Sequence, residues 1–107
     1  MNRIQRKSQL AKILSQNKKV LALFYSSWCP FCQGFLPFFE RKVVKTDFDM
    51  VLHVVVDDYD NPLWEGYSIE AVPTVILFEL GTVLKRLDGR LGRGLNEKEF
   101  NEWLGQV

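Results

Sequence analysis

Two cysteines three residues apart, Cys29 and Cys32, stand in the run Trp28-Cys29-Pro30-Phe31-Cys32 between an apolar segment and a helical one. No other feature constrains the fold as strongly. Val20 to Tyr25 is an apolar run of strand length, the pattern of a strand buried on both faces. Residues 29–45 carry Phe35, Leu36, Phe39 and Val43 as an apolar stripe and read as a long helix. Pro37 lies inside it, where a kink is expected. The first cysteine then sits at the helix N-terminus. Unpaired backbone N–H groups and the positive end of the macrodipole stabilise a thiolate there. The second cysteine lies one turn on and can close a ring with the first. Pro30 suits the first turn because its missing N–H costs nothing at that position. Trp28 and Phe31 give the pair an apolar rim while leaving Cys29 uncovered.

Other uses of two cysteines fit less well. A bridge across so short a loop removes little entropy from the unfolded chain, so stapling does not explain the pair. Zinc takes four ligands. The chain has no second cysteine pair and one histidine, His53. A dimer sharing a metal or a cluster between two such pairs is the metal arrangement left open. The expectation is a redox-active dithiol with no metal and no cofactor.

The rest of the chain supplies a compact α/β pattern. Residues 3–18 place Ile4, Leu10, Ala11, Ile13 and Leu14 among polar residues at helical spacing. Val51 to Val56 is a second β-branched strand. Asn61-Pro62 offers an N-cap and a proline for a short helix through about Gly66. Thr74 to Leu80 and Thr82 to Leu87 read as a hairpin turning at Gly81, and Gly89 to Gly94 as a loop. Asn96 caps a last helix, with Glu99 completing a capping box and Phe100, Trp103 and Leu104 facing inward. The order α, β, α, β, short α, β, β, α implies a mixed sheet of about four strands covered on both faces. One domain over residues 1–107 is expected.

Charge and hydropathy exclude several partners. The net charge is +1, so neither nucleic acid nor an anionic membrane surface is indicated. No apolar run approaches the roughly eighteen residues of a membrane span. The basic start, Met1 to Lys7, is followed by no apolar signal region, and a cytoplasmic location is expected.

These motifs together resemble the thioredoxin superfamily, from about Val20 onward. Trp28, Cys29 and Cys32 match its redox motif and Pro37 matches the kinking proline of its active-site helix. Val72-Pro73-Thr74 looks like its cis-proline loop, and Gly81 and Gly89 fall where thioredoxins place glycines. The resemblance implies a thioredoxin-like fold with an extra N-terminal helix and thiol–disulfide exchange on proteins. It implies Cys29 as nucleophile, Cys32 as resolving thiol, and a substrate segment lying against Trp28, Pro30, Phe31, Val72 and Pro73. A thioredoxin reductase is the implied electron source, and a monomer is expected. Glutaredoxin-like or disulfide-forming activity, or a non-enzymatic binding module, are the alternatives.

Three departures separate the chain from ordinary thioredoxins. The dipeptide between the cysteines is Pro-Phe rather than Gly-Pro, a proline-first order that glutaredoxins and DsbA-type proteins share. Leu23 stands where thioredoxins bury an acid, and His53, Val54 and Val55 are the candidates for the place of its lysine partner. No segment before the first helix looks like the extra N-terminal strand, hence four strands rather than five. A dithiol less reducing than that of thioredoxin follows from the first two. His53 is expected to end a strand near the surface. Asp57, Asp58 and Asp60 are expected in a solvated loop that caps the next helix. Trp64 and Trp103 are expected to pack, and the Gly89–Gly94 loop to border the substrate groove.

Overall fold

The computed structural model describes residues 2–107. Met1, which opens the basic N-terminal stretch, lies outside the described residues. The elements are β1 (Asn2–Ile4), α1 (Lys7–Gln16), β2 (Lys19–Tyr25), α2 (Pro30–Val43), β3 (Met50–Val55), α3 (Pro62–Gly66), β4 (Thr74–Glu79), β5 (Thr82–Leu87) and α4 (Glu97–Leu104). They form a mixed sheet in the order β1-β3-β2-β4-β5. β1 and β2 both run parallel to β3, while β4 runs antiparallel to β2 and to β5.

The expected count of four strands is corrected to five. Asn2, Arg3 and Ile4 pair with Leu52, His53 and Val54 of β3. A three-residue strand with one apolar side chain has no periodicity to read. Tertiary pairing and the burial of Ile4 hold it in place. The helix expected over residues 3–18 accordingly begins at Lys7. The Gln9 side chain marks its start by accepting from the backbone N–H groups of Gln5 and Arg6, at 3.2 and 3.1 Å.

β2 is the centre of the sheet, and every residue from Val20 to Tyr25 is buried. Its continuous apolar run is explained by helices on both faces. On one face Phe39 of α2 and Phe100 of α4 meet with ring centroids 5.4 Å apart, and Phe35 meets Phe100 edge-on at 5.3 Å. On the other, Tyr67, just after α3, bridges Phe24 of β2 and Phe78 of β4 at 5.8 and 5.6 Å. Such aromatic pairs each add roughly 0.5–1.5 kcal/mol beyond the area they bury.

Local signals set the remaining boundaries. Asn61 caps α3 by accepting from the Leu63 N–H at 2.9 Å. Asn96 caps α4 by accepting from the Glu99 N–H at 2.8 Å, and its side-chain amide donates to the Glu99 carboxylate at 3.1 Å. The hairpin turns through Leu80 and Gly81, both at positive φ, so Leu80 belongs to the turn rather than the strand. Its N–H donates to the Lys18 carbonyl at 2.8 Å.

Two glycines test this packing in opposite directions. A Cβ on Gly89 would lie 2.2 Å from the Pro73 carbonyl oxygen, and neither backbone has room to yield. A Cβ on Gly34, inside α2, would meet nothing within 4 Å. Gly89→Ala is therefore expected to cost about 1–3 kcal/mol by overpacking. Gly34→Ala is expected to gain about 0.5–1 kcal/mol through helix propensity. Urea unfolding midpoints of the two variants measure both, and equal shifts of one sign would contradict the packing described.

Candidate active site

The site begins where β2 leaves the sheet. Ser26 is buried and its hydroxyl donates to the Val56 carbonyl at 2.9 Å, while the Val56 N–H donates to the Tyr25 carbonyl at 2.8 Å. Ser27 donates twice to the Asp57 carboxylate, from its N–H at 2.6 Å and its hydroxyl at 2.8 Å. The Trp28 indole N–H donates to the Asp57 carbonyl at 2.8 Å. Residues 26–28 are thus fastened to the end of β3. Asp57 is exposed in the loop before α3, as expected, and acts there as that fastener rather than as a helix cap. Asn61 does the capping, and the Asp58 carbonyl receives the Trp64 indole N–H at 3.0 Å.

Cys29 is the N-cap of α2, and its extended backbone (φ −89°, ψ 117°) precedes Pro30 at the first helical position. Its carbonyl accepts the Gln33 N–H at 3.1 Å. Its thiol lies 3.8 Å from the Val72 carbonyl, to which it donates. Only 4% of Cys29 is exposed, a correction to the expectation that it is uncovered. The close approach of the Val72 carbonyl accounts for part of that cover. The rim is as read: Trp28 and Phe31 are 48% and 41% exposed.

Cys32 is fully buried, and both cysteines are free thiols. Burial pushes the Cys32 thiol up to about 12. The Ser26 backbone opposes the rise, Cys29 adds to it, and no carboxylate contributes. The two thiols are therefore unlike. One caps a helix at a groove; the other is shut inside and holds its proton at neutral pH.

The Val72–Pro73 bond is cis. A groove of about 180 Å³ lies beside it, lined by Trp28, Cys29, Pro30, Phe31 and Val72 among others. Pro73 is not part of that lining. A Cβ on Gly94 would fall 2.6 Å from Phe31 Cβ and 3.4 Å from Pro73 Cδ. Gly94, at φ +71°, lets the loop close on both. Arg90, Leu91 and Gly92 line the groove, so the loop borders it as expected. Tyr59 and Trp64 also line it and were not read as site residues. The Tyr59 signal was legible as a large aromatic inside an acidic loop. Trp64 packs on Tyr59 with ring centroids 5.0 Å apart, and Trp103 is buried against Phe100.

His53 is the β3 partner of Leu23 in the β2–β3 register, so of the three candidates it is the one opposite the leucine. It is 4% exposed, not at the surface where a strand end was expected. Its cover comes from α2, whose Phe39 ring meets the imidazole edge-on at 6.3 Å, and from Tyr25 at 5.4 Å. The Tyr25 hydroxyl is 3.0 Å from Nδ1, and the Glu40 carboxylate is 3.6 Å from Nε2. Burial lowers the His53 imidazole below its ordinary value, with Glu40 opposing and Arg3 assisting. Among the described residues no three His, Cys, Asp or Glu side chains converge to hold a metal.

The lowered imidazole ties stability to pH. The unfolded chain takes up a proton as pH falls through about 6.5, while the folded protein resists it. Stability should fall as pH drops below about 6.5, down to the lowered folded value. His53→Gln should flatten that part of the profile. Urea unfolding at about pH 7.5 and about pH 5.5 reads the difference. An unchanged acid-side slope in His53→Gln would show that another group carries it.

Comparison with known proteins agrees with this geometry. The family model described as Thioredoxin matches residues 2–103. A thioredoxin of Mycoplasmoides gallisepticum is 38% identical over 92 residues, covering 86% of this chain and 88% of the relative. A bifunctional thioredoxin reductase/thioredoxin of Mycobacterium leprae is 29% identical over 95 residues, covering 89% of this chain and 21% of that protein. The solution structure of oxidised thioredoxin from Plasmodium falciparum superposes with a TM-score of 0.78 at 25% identity, covering 99% of this chain and 97% of the other.

Proposed function

Since the chain belongs to the thioredoxin family and is a thiol–disulfide oxidoreductase, we propose that it is a protein disulfide reductase in which Cys29 attacks and Cys32 resolves. The observation that carries this reading is the inequality of the two thiols. Cys29 caps α2 on the groove, and Cys32 is fully buried with its thiol pushed up to about 12.

The Cys29 thiolate attacks one sulfur of a substrate disulfide. A bond forms between Cys29 and that sulfur, the substrate S–S bond breaks, and the other substrate sulfur leaves as a thiolate. Cys32 then loses its proton and attacks the Cys29 sulfur. The Cys29–Cys32 disulfide forms and the second substrate thiolate departs. Two electrons pass from the dithiol to the substrate, and two protons end on the substrate thiols. The weak acidity of Cys32 makes resolution the step that depends on proton removal.

The substrate segment lies against Trp28, Pro30, Phe31, Val72 and Pro73. A thioredoxin reductase returns the electrons. The Mycobacterium leprae relative, whose name joins the two activities, supports that pairing. The working form is a monomeric domain spanning residues 1–107, in the cytoplasm, where reductases keep such dithiols reduced.

Substitution separates the two roles. Cys29→Ser should reduce insulin disulfides no faster than background. Cys32→Ser should still attack once through Cys29 and accumulate a mixed disulfide, seen as an added mass that a reductant removes. Accumulation of the adduct through Cys32 in Cys29→Ser would reverse the assignment.

A further inference from the structure

The groove beside Cys29 extends past the redox motif onto an aromatic shelf. Trp28 and Tyr59 meet with ring centroids 5.5 Å apart, and Tyr59 and Trp64 at 5.0 Å. The indole N–H groups at both ends are already engaged, Trp28 with the Asp57 carbonyl and Trp64 with the Asp58 carbonyl. The shelf is therefore oriented without a ligand. Tyr59 is 71% exposed, and Leu91, on the same groove, is 83% exposed. Large apolar groups left open around a reactive sulfur mark a surface that a partner covers.

We propose that Tyr59, with Trp64 and Leu91, forms a specificity pocket for the side chain next to the reacting cysteine of the substrate. The residue it selects is aromatic or large aliphatic. The proposal rests on the reading that Cys29 attacks protein disulfides, and it names which disulfides are preferred. Continuity places the occupant, because Cys29 and the shelf line one groove. Consecutive Cα atoms are about 3.8 Å apart, so a neighbour of the attacked cysteine reaches the shelf.

Charge fixes the chemistry. The charged side chains lining the groove are Glu70 and Arg90, and neither forms an ion pair among the described residues. Their signs cancel, while the exposed Asp58 and Asp60 on either side of Tyr59 repel an acidic neighbour. A carboxylate laid on Trp28, Tyr59 and Leu91 would lose water and face those acids. An aromatic ring would exchange water for three apolar surfaces.

Three disulfide peptides test this, identical except for Phe, Gly or Asp beside the cysteine. Their kcat/KM values are compared with one another within each protein variant. The wild-type protein should prefer Phe over Gly by about tenfold, and Asp should be no better than Gly. In Tyr59→Ala the Phe-to-Gly ratio should fall close to one, and in Tyr59→Phe it should persist. Tyr59 is exposed, so neither change threatens folding. A wild-type ratio near one, or a ratio that survives Tyr59→Ala, overturns the pocket. Bis(hydroxyethyl) disulfide, which has no flanking residue, separates the two levels of the account. A protein that reduces it without preferring Phe loses the pocket alone. A protein that reduces neither it nor the peptides loses the reductase reading as well.

Discussion

The position of the dithiol depends on one fastening. Residues 26–28 are tied to the end of β3 through Val56 and Asp57, by the hydroxyl of Ser26, the N–H and hydroxyl of Ser27, and the indole of Trp28. Without it the chain leaving β2 would be free to begin α2 at several places. With it the cap falls on Cys29, and one turn later Cys32 faces the core. A charge-assisted bond to a carboxylate is worth roughly 1.5–3 kcal/mol, and Asp57 accepts two from one residue. The aromatic rim follows from the same device. Trp28 is held by the backbone of Asp57, and Tyr59 meets it at a tilt from the loop that Asp57 begins.

A second constraint acts from the other side. The loop after β5 is pressed so closely on its neighbours that a side chain has no space at Gly89, against Pro73, or at Gly94, against Phe31. The Gly89 N–H donates to the Thr74 hydroxyl at 3.1 Å, and that hydroxyl donates to the Ala71 carbonyl at 2.7 Å. The Val72 carbonyl is thereby set 3.8 Å from the Cys29 sulfur. The two loops together cover Cys29 while leaving a groove beside it. The burial of the first cysteine is thus a product of tertiary closure rather than of the motif.

What was legible in the sequence follows this division. The cysteine spacing, the strand Val20–Tyr25, the cap at Asn61-Pro62 and the Asn96–Glu99 pair are local signals, and each element formed where they indicated. β1 was not legible, because three residues cannot show a period and their stability comes from β3. His53 was misplaced because Phe39 of α2 and Tyr25 of β2 cover it, contacts that no local pattern shows. The role of Asp57 was hidden for a similar reason: its partner Ser27 is thirty residues away. Tyr59 and Trp64 were visible as aromatics, but only their meeting with Trp28 makes them a surface.

The account's central claim is that Cys29 and Cys32 form one redox couple whose resolving thiol is buried with no carboxylate beside it. Leu23, fully buried opposite His53, fills the place where ordinary thioredoxins carry the acid. A buried carboxylate would push the Cys32 thiol up further, so its absence favours the reduced form and makes the disulfide the better oxidant. Equilibration of the protein with glutathione buffers of graded ratio measures this directly. The account predicts a single two-electron transition at roughly −250 to −180 mV, between about −270 mV for thioredoxin and about −120 mV for DsbA. No transition, or a midpoint at or below about −270 mV, would contradict it.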